Sequence, residues 1–146
     1  MRIERASTET LDQWVQLRFA LWPDEDQAIM AREAPVLLAD PDRLVLVAKD
    51  GEALAGFAEA SLRRDYVNGC ATSPVAFVEG LYVVPQNRRQ GVARALVARI
   101  EEWARQQGLS ELASDALLEN GASHAMHEAL GLRETERVVY FRKSLT

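Results

Sequence analysis

Two stretches of this chain hold residues whose types and spacing can do chemistry. Val75 to Val84 reads VAFVEGLYVV, and one carboxylate, Glu79, stands beside Gly80 inside an otherwise apolar run. A buried carboxylate must be paired or neutralised, and glycine within a strand marks a bulge or a close approach, so neither sits there without a reason. Next comes Pro85-Gln86-Asn87-Arg88-Arg89-Gln90-Gly91-Val92-Ala93, a basic turn that opens a helix on small residues. The first N–H groups of a helix lack partners within it and carry the positive end of its dipole. Arg88-x-x-Gly91-x-Ala93 therefore reads as a diphosphate cradle, with Gly91 allowing close backbone approach and the arginines adding charge; a solvated basic turn is the plainer alternative. In the second stretch, Asn120, Ser123 and His127 are spaced i, i+3 and i+7, which gathers an amide, a hydroxyl and an imidazole on one helix face.

The elements that must position these residues follow from periodicity. Val92, Leu96, Ile100 and Trp103 form the apolar stripe of a helix fed by a buried strand. Upstream, Arg2 to Arg5 reads as a strand. Ser7 or Thr8 is the expected N-cap of a helix carrying Leu11, Trp14, Val15, Leu17 and Leu21, which Trp22-Pro23-Asp24 ends. A second helix is expected from Glu25 to near Ala34, limited by Pro35. Leu44 to Ala48 and Leu54 to Leu62 are strands joined by the hairpin Lys49-Asp50-Gly51-Glu52, and Arg63 to Pro74 is a polar loop. Glu111 to Asp115 reads as a fifth strand and Ala122 to Leu130 as a fourth helix closed by Gly131; Leu132 to Ser144 is extended. The order β-α-α-β-β-β-α-β-α-β predicts an α/β (α+β) chain, a mixed sheet covered by helices.

Composition narrows the function classes. A chain of 146 residues predicts one domain, 1–146. Lys plus Arg is 17 against 22 Asp plus Glu, a net charge of -5, which argues against a general nucleic-acid surface. No apolar run approaches the roughly 20 residues that span a bilayer, and MRIERASTET lacks the apolar core of a signal peptide. The single cysteine, Cys70, excludes an intrachain disulfide framework and suits a reducing cytoplasm.

The strand, the Arg88-Arg89-Gln90-Gly91-Val92-Ala93 turn and its helix resemble the acetyl-CoA loop of the GNAT acyltransferases. Asn120 to Leu132, ending in Leu130-Gly131-Leu132, resembles that superfamily's next helix. Within it, RRDYVNG at Arg63 to Gly69, SPVAFVEGLYV at Ser73 to Val83, SDALLEN at Ser114 to Asn120 and ERVVYFRK at Glu136 to Lys143 resemble the aminoglycoside 6'-N-acetyltransferases. The resemblance runs from Leu21-Trp22-Pro23 to the last strand. It implies a GNAT fold: a mixed, mostly antiparallel sheet of six to seven strands flanked by about four helices. Acetyl-CoA would be the co-substrate, with no metal, and the acceptor a cationic aminoglycoside. The implied setting is cytoplasmic, without nucleic acid or membrane partners, and the implied assembly a homodimer, for which Val138 to Phe141 is a candidate interface.

By the same resemblance, acetyl-CoA would be held by Leu81, Tyr82 and Val83 on the strand, by Arg88, Arg89, Gln90, Gly91, Val92, Ala93 and Arg94 at the loop, and by Asn120, which could instead cap its helix. An amine with a pKa near that of lysine, ~10.4, is neutral about once in a thousand molecules at pH 7, so a base or water chain should help it react. Glu79 matches the position that carries the base in many GNAT enzymes, or it holds the cationic substrate. Asp115 would face the same cleft, although a turn or capping carboxylate is an open alternative. Glu136 is a third acid aimed at the amino sugar. His127 stands where most GNAT enzymes have a tyrosine that protonates the CoA sulfur; it either donates a proton or packs beside the cofactor. Trp22 and Tyr66 would wall the acceptor site, Trp22 being equally readable as core. Two other functions fit the loop: acetylation of a polyamine, peptide or protein amine, and non-catalytic acetyl-CoA sensing.

Overall fold

A computed structural model describes all 146 residues. Strand β1 (Arg2–Arg5) leads to α1 (Leu11–Leu21) and α2 (Gln27–Ala39). β2 (Arg43–Asp50), β3 (Ala53–Arg63) and β4 (Val75–Val83) follow, then a 3-10 turn at Pro85–Asn87, α3 (Val92–Gln106), β5 (Leu112–Ser114) and α4 (Gly121–Ala129). The strands form one sheet in the order β1-β2-β3-β4-β5, antiparallel except for the β4–β5 pair. The predicted stripe of α3 is buried throughout, with Leu96 and Ile100 fully enclosed against Leu44, Leu46, Ala58 and Ala76 on one face of the sheet. On the other face Trp14, Val15 and Ala34 from α1 and α2 pack on Val45, Val47 and Phe57.

Several expectations are corrected. The N-cap of α1 is Thr10 rather than Ser7 or Thr8, because Ser7 to Thr10 first close a turn of their own: Thr10 N–H donates to the Ser7 carbonyl at 3.1 Å and Ser7 N–H to Thr10 Oγ1 at 2.9 Å. Helix α2 begins at Gln27, where the Asp26 side chain accepts from Ile29 N–H, and it continues through Pro35 to Ala39. Proline removes one helical hydrogen bond there, and packing of Ala34 and its neighbours on α1 and β2 outweighs that loss. The sheet has five strands rather than six to seven. The stretch Leu132 to Ser144 is not a strand of this sheet: residues 133–146 make no backbone–backbone hydrogen bond, and Val139, Tyr140 and Phe141 are exposed, Phe141 at 93%.

Candidate active site

The site begins with a misfit in the β3–β4 ladder. Glu59 pairs with Gly80 and the next residue, Ala60, pairs with Val78, so Glu79 is the extra residue of a β-bulge. A bulge re-aims a side chain. Here it sends Glu79 to the face that carries α1 and α2, where Ser61 Oγ donates to its Oε1 at 2.6 Å. Arg63 forks onto both oxygens, Nε to Oε1 at 2.9 Å and Nη2 to Oε2 at 2.7 Å. The Arg63 guanidinium lies 3.5 Å from the Phe77 ring centroid, which fixes its plane. Burial pushes the Glu79 carboxyl up, but the bonds from Arg63 and Ser61 and the nearby Arg43 charge outweigh it and hold the group below the usual carboxylate range. The buried acid expected in this strand is therefore paired and ionised.

Glu79 opens onto a cavity of about 500 Å³ whose wall includes Asp40, Asp42, Arg43, Arg63, Asp65 and Tyr66. Tyr66 is 67% exposed and so is no core residue. Asp115, one residue past β5, is exposed; its charge, after that of Glu79, favours the charged form of Arg63, but Asp115 is not among the residues that line the cavity. Glu136 sits on the unpaired C-terminal arm and touches no polar partner, and the structure does not bring it into the cavity.

Trp22 is half-buried and its indole lies directly over Gly80, where a Cβ would stand 2.7 Å from Cη2. The ring is clamped by Phe57, edge-on at 6.2 Å, and by the Arg18 guanidinium at 5.2 Å. Arg18 is itself buried, 6% exposed, and its Nε meets Glu59 Oε2 at 2.8 Å, an oxygen that also accepts from Trp14 Nε1. Trp22 packs on the core beside the bulge and lies outside the lining of the cavity onto which Glu79 opens.

On the other side of β4 the sheet parts. β5 pairs only with Ala76, Phe77 and Val78, and β4 runs five residues further with no neighbour on that edge. Val84 N–H donates to the Ala55 carbonyl at 2.8 Å. Successive residues of an antiparallel strand face alternate edges, so Leu81 and Val83 turn their N–H and C=O to the open gap while Tyr82 turns its own to β3. The Val83 carbonyl accepts from Arg88 Nε at 2.8 Å, and Arg88 covers the Tyr82 ring.

The open edge leads to the start of α3. Gly91, in the left-handed region at φ 82, is its N-cap and supplies no side-chain cap, and the N–H groups of Gly91, Val92, Ala93 and Arg94 donate to no carbonyl. Four unpartnered amides at one helix start can hold a diphosphate. Arg89, at φ 63, and Gln90 flank them on the surface, and Arg94 Nη2 ties α3 to the Ala129 carbonyl of α4 at 3.0 Å. At the near end of the gap, His127 Nδ1 lies 2.6 Å from the Ser123 carbonyl and Nε2 lies 2.8 Å from Ser114 Oγ, the last residue of β5. A carbonyl only accepts, so Nδ1 carries a proton, and Nε2 is engaged by the serine hydroxyl. Asn120 caps α4, its Oδ1 accepting from Ser123 N–H at 3.1 Å.

Residues 8–132 match the acetyltransferase (GNAT) family. The chain belongs to that GNAT family. Among GNAT relatives it is 48% identical over 146 residues, 99% of each chain, to aminoglycoside N(6')-acetyltransferase type 1 of Acinetobacter baumannii, and 50% identical over 139 residues, 94% of each, to that of Serratia marcescens. The crystal structure of an aminoglycoside 6'-N-acetyltransferase from Acinetobacter haemolyticus superposes with a TM-score of 0.96 at 46% identity, covering 100% of both chains. A 6'-N-acetyltransferase in complex with the bisubstrate analogue CoA-S-monomethyl-acetylneamine superposes at 0.93 with 39% identity, covering 98% of this chain and 97% of that one.

Four residues of this GNAT site escape a reading of the sequence: Ser61, Arg63, Arg43 and Ser114. Ser61 and Arg63 are two apart on β3, and strand alternation alone puts them on one face. Their partner Glu79 lies 16 residues beyond Arg63 across a loop, and which residues of the two strands oppose each other is not a local property.

Proposed function

We propose that this chain transfers acetyl from acetyl-CoA to the 6'-amine of an aminoglycoside, and that residues 1–146 work as one GNAT domain. The observation that carries it is the bulged, ion-paired Glu79 standing between the open edge of β4 and a cavity lined by Asp40, Asp42 and Asp65. The relatives supply the substrate class, since proteins of 44 to 50% identity across nearly the whole chain are named aminoglycoside N(6')-acetyltransferases. The free amides of Gly91 to Arg94 fit the CoA diphosphate, and the outward N–H and C=O groups of Leu81 and Val83 fit the pantetheine amides as an added strand would. Acetyl-CoA brings the thioester. Tyr66 walls the sugar, and Asp115 and its neighbouring acids draw the ammonium groups of the drug. Glu79, held as a carboxylate, anchors and orients the amine, whose proton leaves through the open cavity; the leaving thiolate takes one from solvent.

The same reading has the chain act as a homodimer in the cytoplasm. A fourteen-residue arm without a backbone–backbone hydrogen bond, carrying Val138, Val139, Tyr140 and Phe141 on its surface, is what strand addition to a second copy would bury. No helix is long and apolar enough to cross a membrane. The test is CoA-thiol release with kanamycin, tobramycin, spermidine and a lysine peptide, followed by locating the acetyl group. Turnover of 6'-amines with none for a 6'-hydroxyl analogue supports the proposal; preference for spermidine or the peptide overturns it.

A further inference from the structure

An arginine is an unexpected neighbour for a polycation. Arg63 nevertheless projects into the acceptor cavity, stacked on Phe77 and forked onto Glu79, with Ser61 completing the grip. Substrate retention alone would be served better by a bare carboxylate, which attracts an ammonium more strongly. The reaction has a second requirement. The nucleophile is the neutral amine, and a bare carboxylate beside an amine stabilises the charged, unreactive form. The other acids near the cavity stand differently. Asp42 is already paired with Arg64, while the half-buried Asp40 and the exposed Asp65 and Asp115 have no ion-pair partner. Holding the drug and deprotonating its reacting nitrogen are thus divided between two sets of charges.

We infer that Arg63 is a positioning residue that spends the charge of Glu79, so that the acceptor amine beside it is oriented by a neutralised carboxylate instead of being trapped as its ammonium salt. Glu79 then accepts a hydrogen bond from the amine, and the proton lost on C–N bond formation passes to water in the open cavity while the C–S bond breaks. The charged groups that face the pair are few. Arg43 from β2 acts on Glu79 in the same sense as Arg63, and Asp115 beyond β5 acts on Arg63, as does the Tyr140 phenol of the arm only when it is ionised. Glu59, the adjacent acid of β3, is engaged by Arg18 and Trp14.

The inference rests on the acetyl-transfer reading, and the experiment separates the two. Kanamycin turnover by the unmodified protein tests that reading. Arg63 is tested by comparison with Arg63→Gln and Arg63→Lys, each followed from pH 5.5 to 9.5. One unit charge lost beside a partly exposed amine raises its proton affinity by about one to two pH units. Arg63→Gln should therefore move the rising limb of kcat up by about that much and lower kcat at pH 7 about ten- to a hundredfold. Its kanamycin KM should fall, because the ammonium is now held more tightly, and its acetyl-CoA KM should stay within about twofold. Arg63→Lys, which keeps the charge, should keep the limb. A calorimetric count of protons released on kanamycin binding gives a readout without turnover: the unmodified protein should release more than Arg63→Gln. A raised kanamycin KM with an unmoved limb, or equal proton release, overturns the inference and leaves Arg63 a structural support.

Discussion

Asp115 lies one residue beyond β5 with its side chain in solvent, near Arg63 but bonded to nothing. The proposed function has this carboxylate act on the drug and not on the cofactor. Asp115→Asn is expected to raise the aminoglycoside KM about tenfold and leave acetyl-CoA binding unchanged by calorimetry; equal loss of both would assign it to the cofactor gap. His127 has its protonated nitrogen committed to the Ser123 carbonyl and its other nitrogen to the Ser114 hydroxyl, so it has no proton aimed at the gap. His127→Ala should lower kcat less than tenfold and keep the shape of its pH profile, whereas loss of the alkaline limb would restore it as the acid. Glu79 supplies a stability signal. Its folded-state value lies below the ordinary carboxylate value, so its contribution is complete above about pH 4.3 and is lost as pH falls through the depressed value. Acid unfolding of Glu79→Gln should therefore be shallower than that of the unmodified protein below that pH.

At the scale of elements, α1 and β4 meet where glycine has no substitute. Trp22 occupies the space a side chain at Gly80 would need, and Phe57 and Arg18 prevent the indole from swinging away. Gly80→Ala is expected to cost about 1–3 kcal/mol, read as a lower Tm, and to raise the aminoglycoside KM while sparing that of acetyl-CoA. A variant with unchanged Tm would show that the indole is not pinned. The legibility of these elements in the sequence follows the reach of their causes. The α3 stripe, the Asp50-Gly51 hairpin and the glycine that opens α3 are set by neighbours a few residues apart, and each is where periodicity and turn chemistry predict. Glu79 was conspicuous as a buried acid, but the bulge that turns it and the Arg63 that pairs it depend on the register of two strands joined by an eleven-residue loop. Arg63 itself reads in the sequence as the first residue of that loop, whereas it is the last residue of β3. Pro35 misled because its local effect was overruled by packing on α1 and β2.

The whole molecule has one unfinished edge. β5 is a three-residue border strand, and the arm that follows α4 carries apolar residues into solvent. The homodimer proposed above predicts that sedimentation will give twice the chain mass, and that Val139→Asp with Phe141→Asp will yield monomers with reduced aminoglycoside turnover. Monomers in the unmodified protein at micromolar concentration would contradict it.

The bulge at Glu79 also divides labour along a single strand. On one edge of β4, main-chain groups of Leu81 and Val83 face the gap, where any side chain of the right size would leave them in place. On one face, Glu79 and its companions Ser61 and Arg63 present side chains to the cavity, ringed by loop residues such as Tyr66 and Asp65. Under the proposed function, substitutions in the loops alter which drugs are inactivated without disturbing how the acetyl donor is held, so an antibiotic redesigned to avoid the cavity confronts an adaptable surface, whereas a compound lodged in the gap confronts backbone that mutation cannot easily remove.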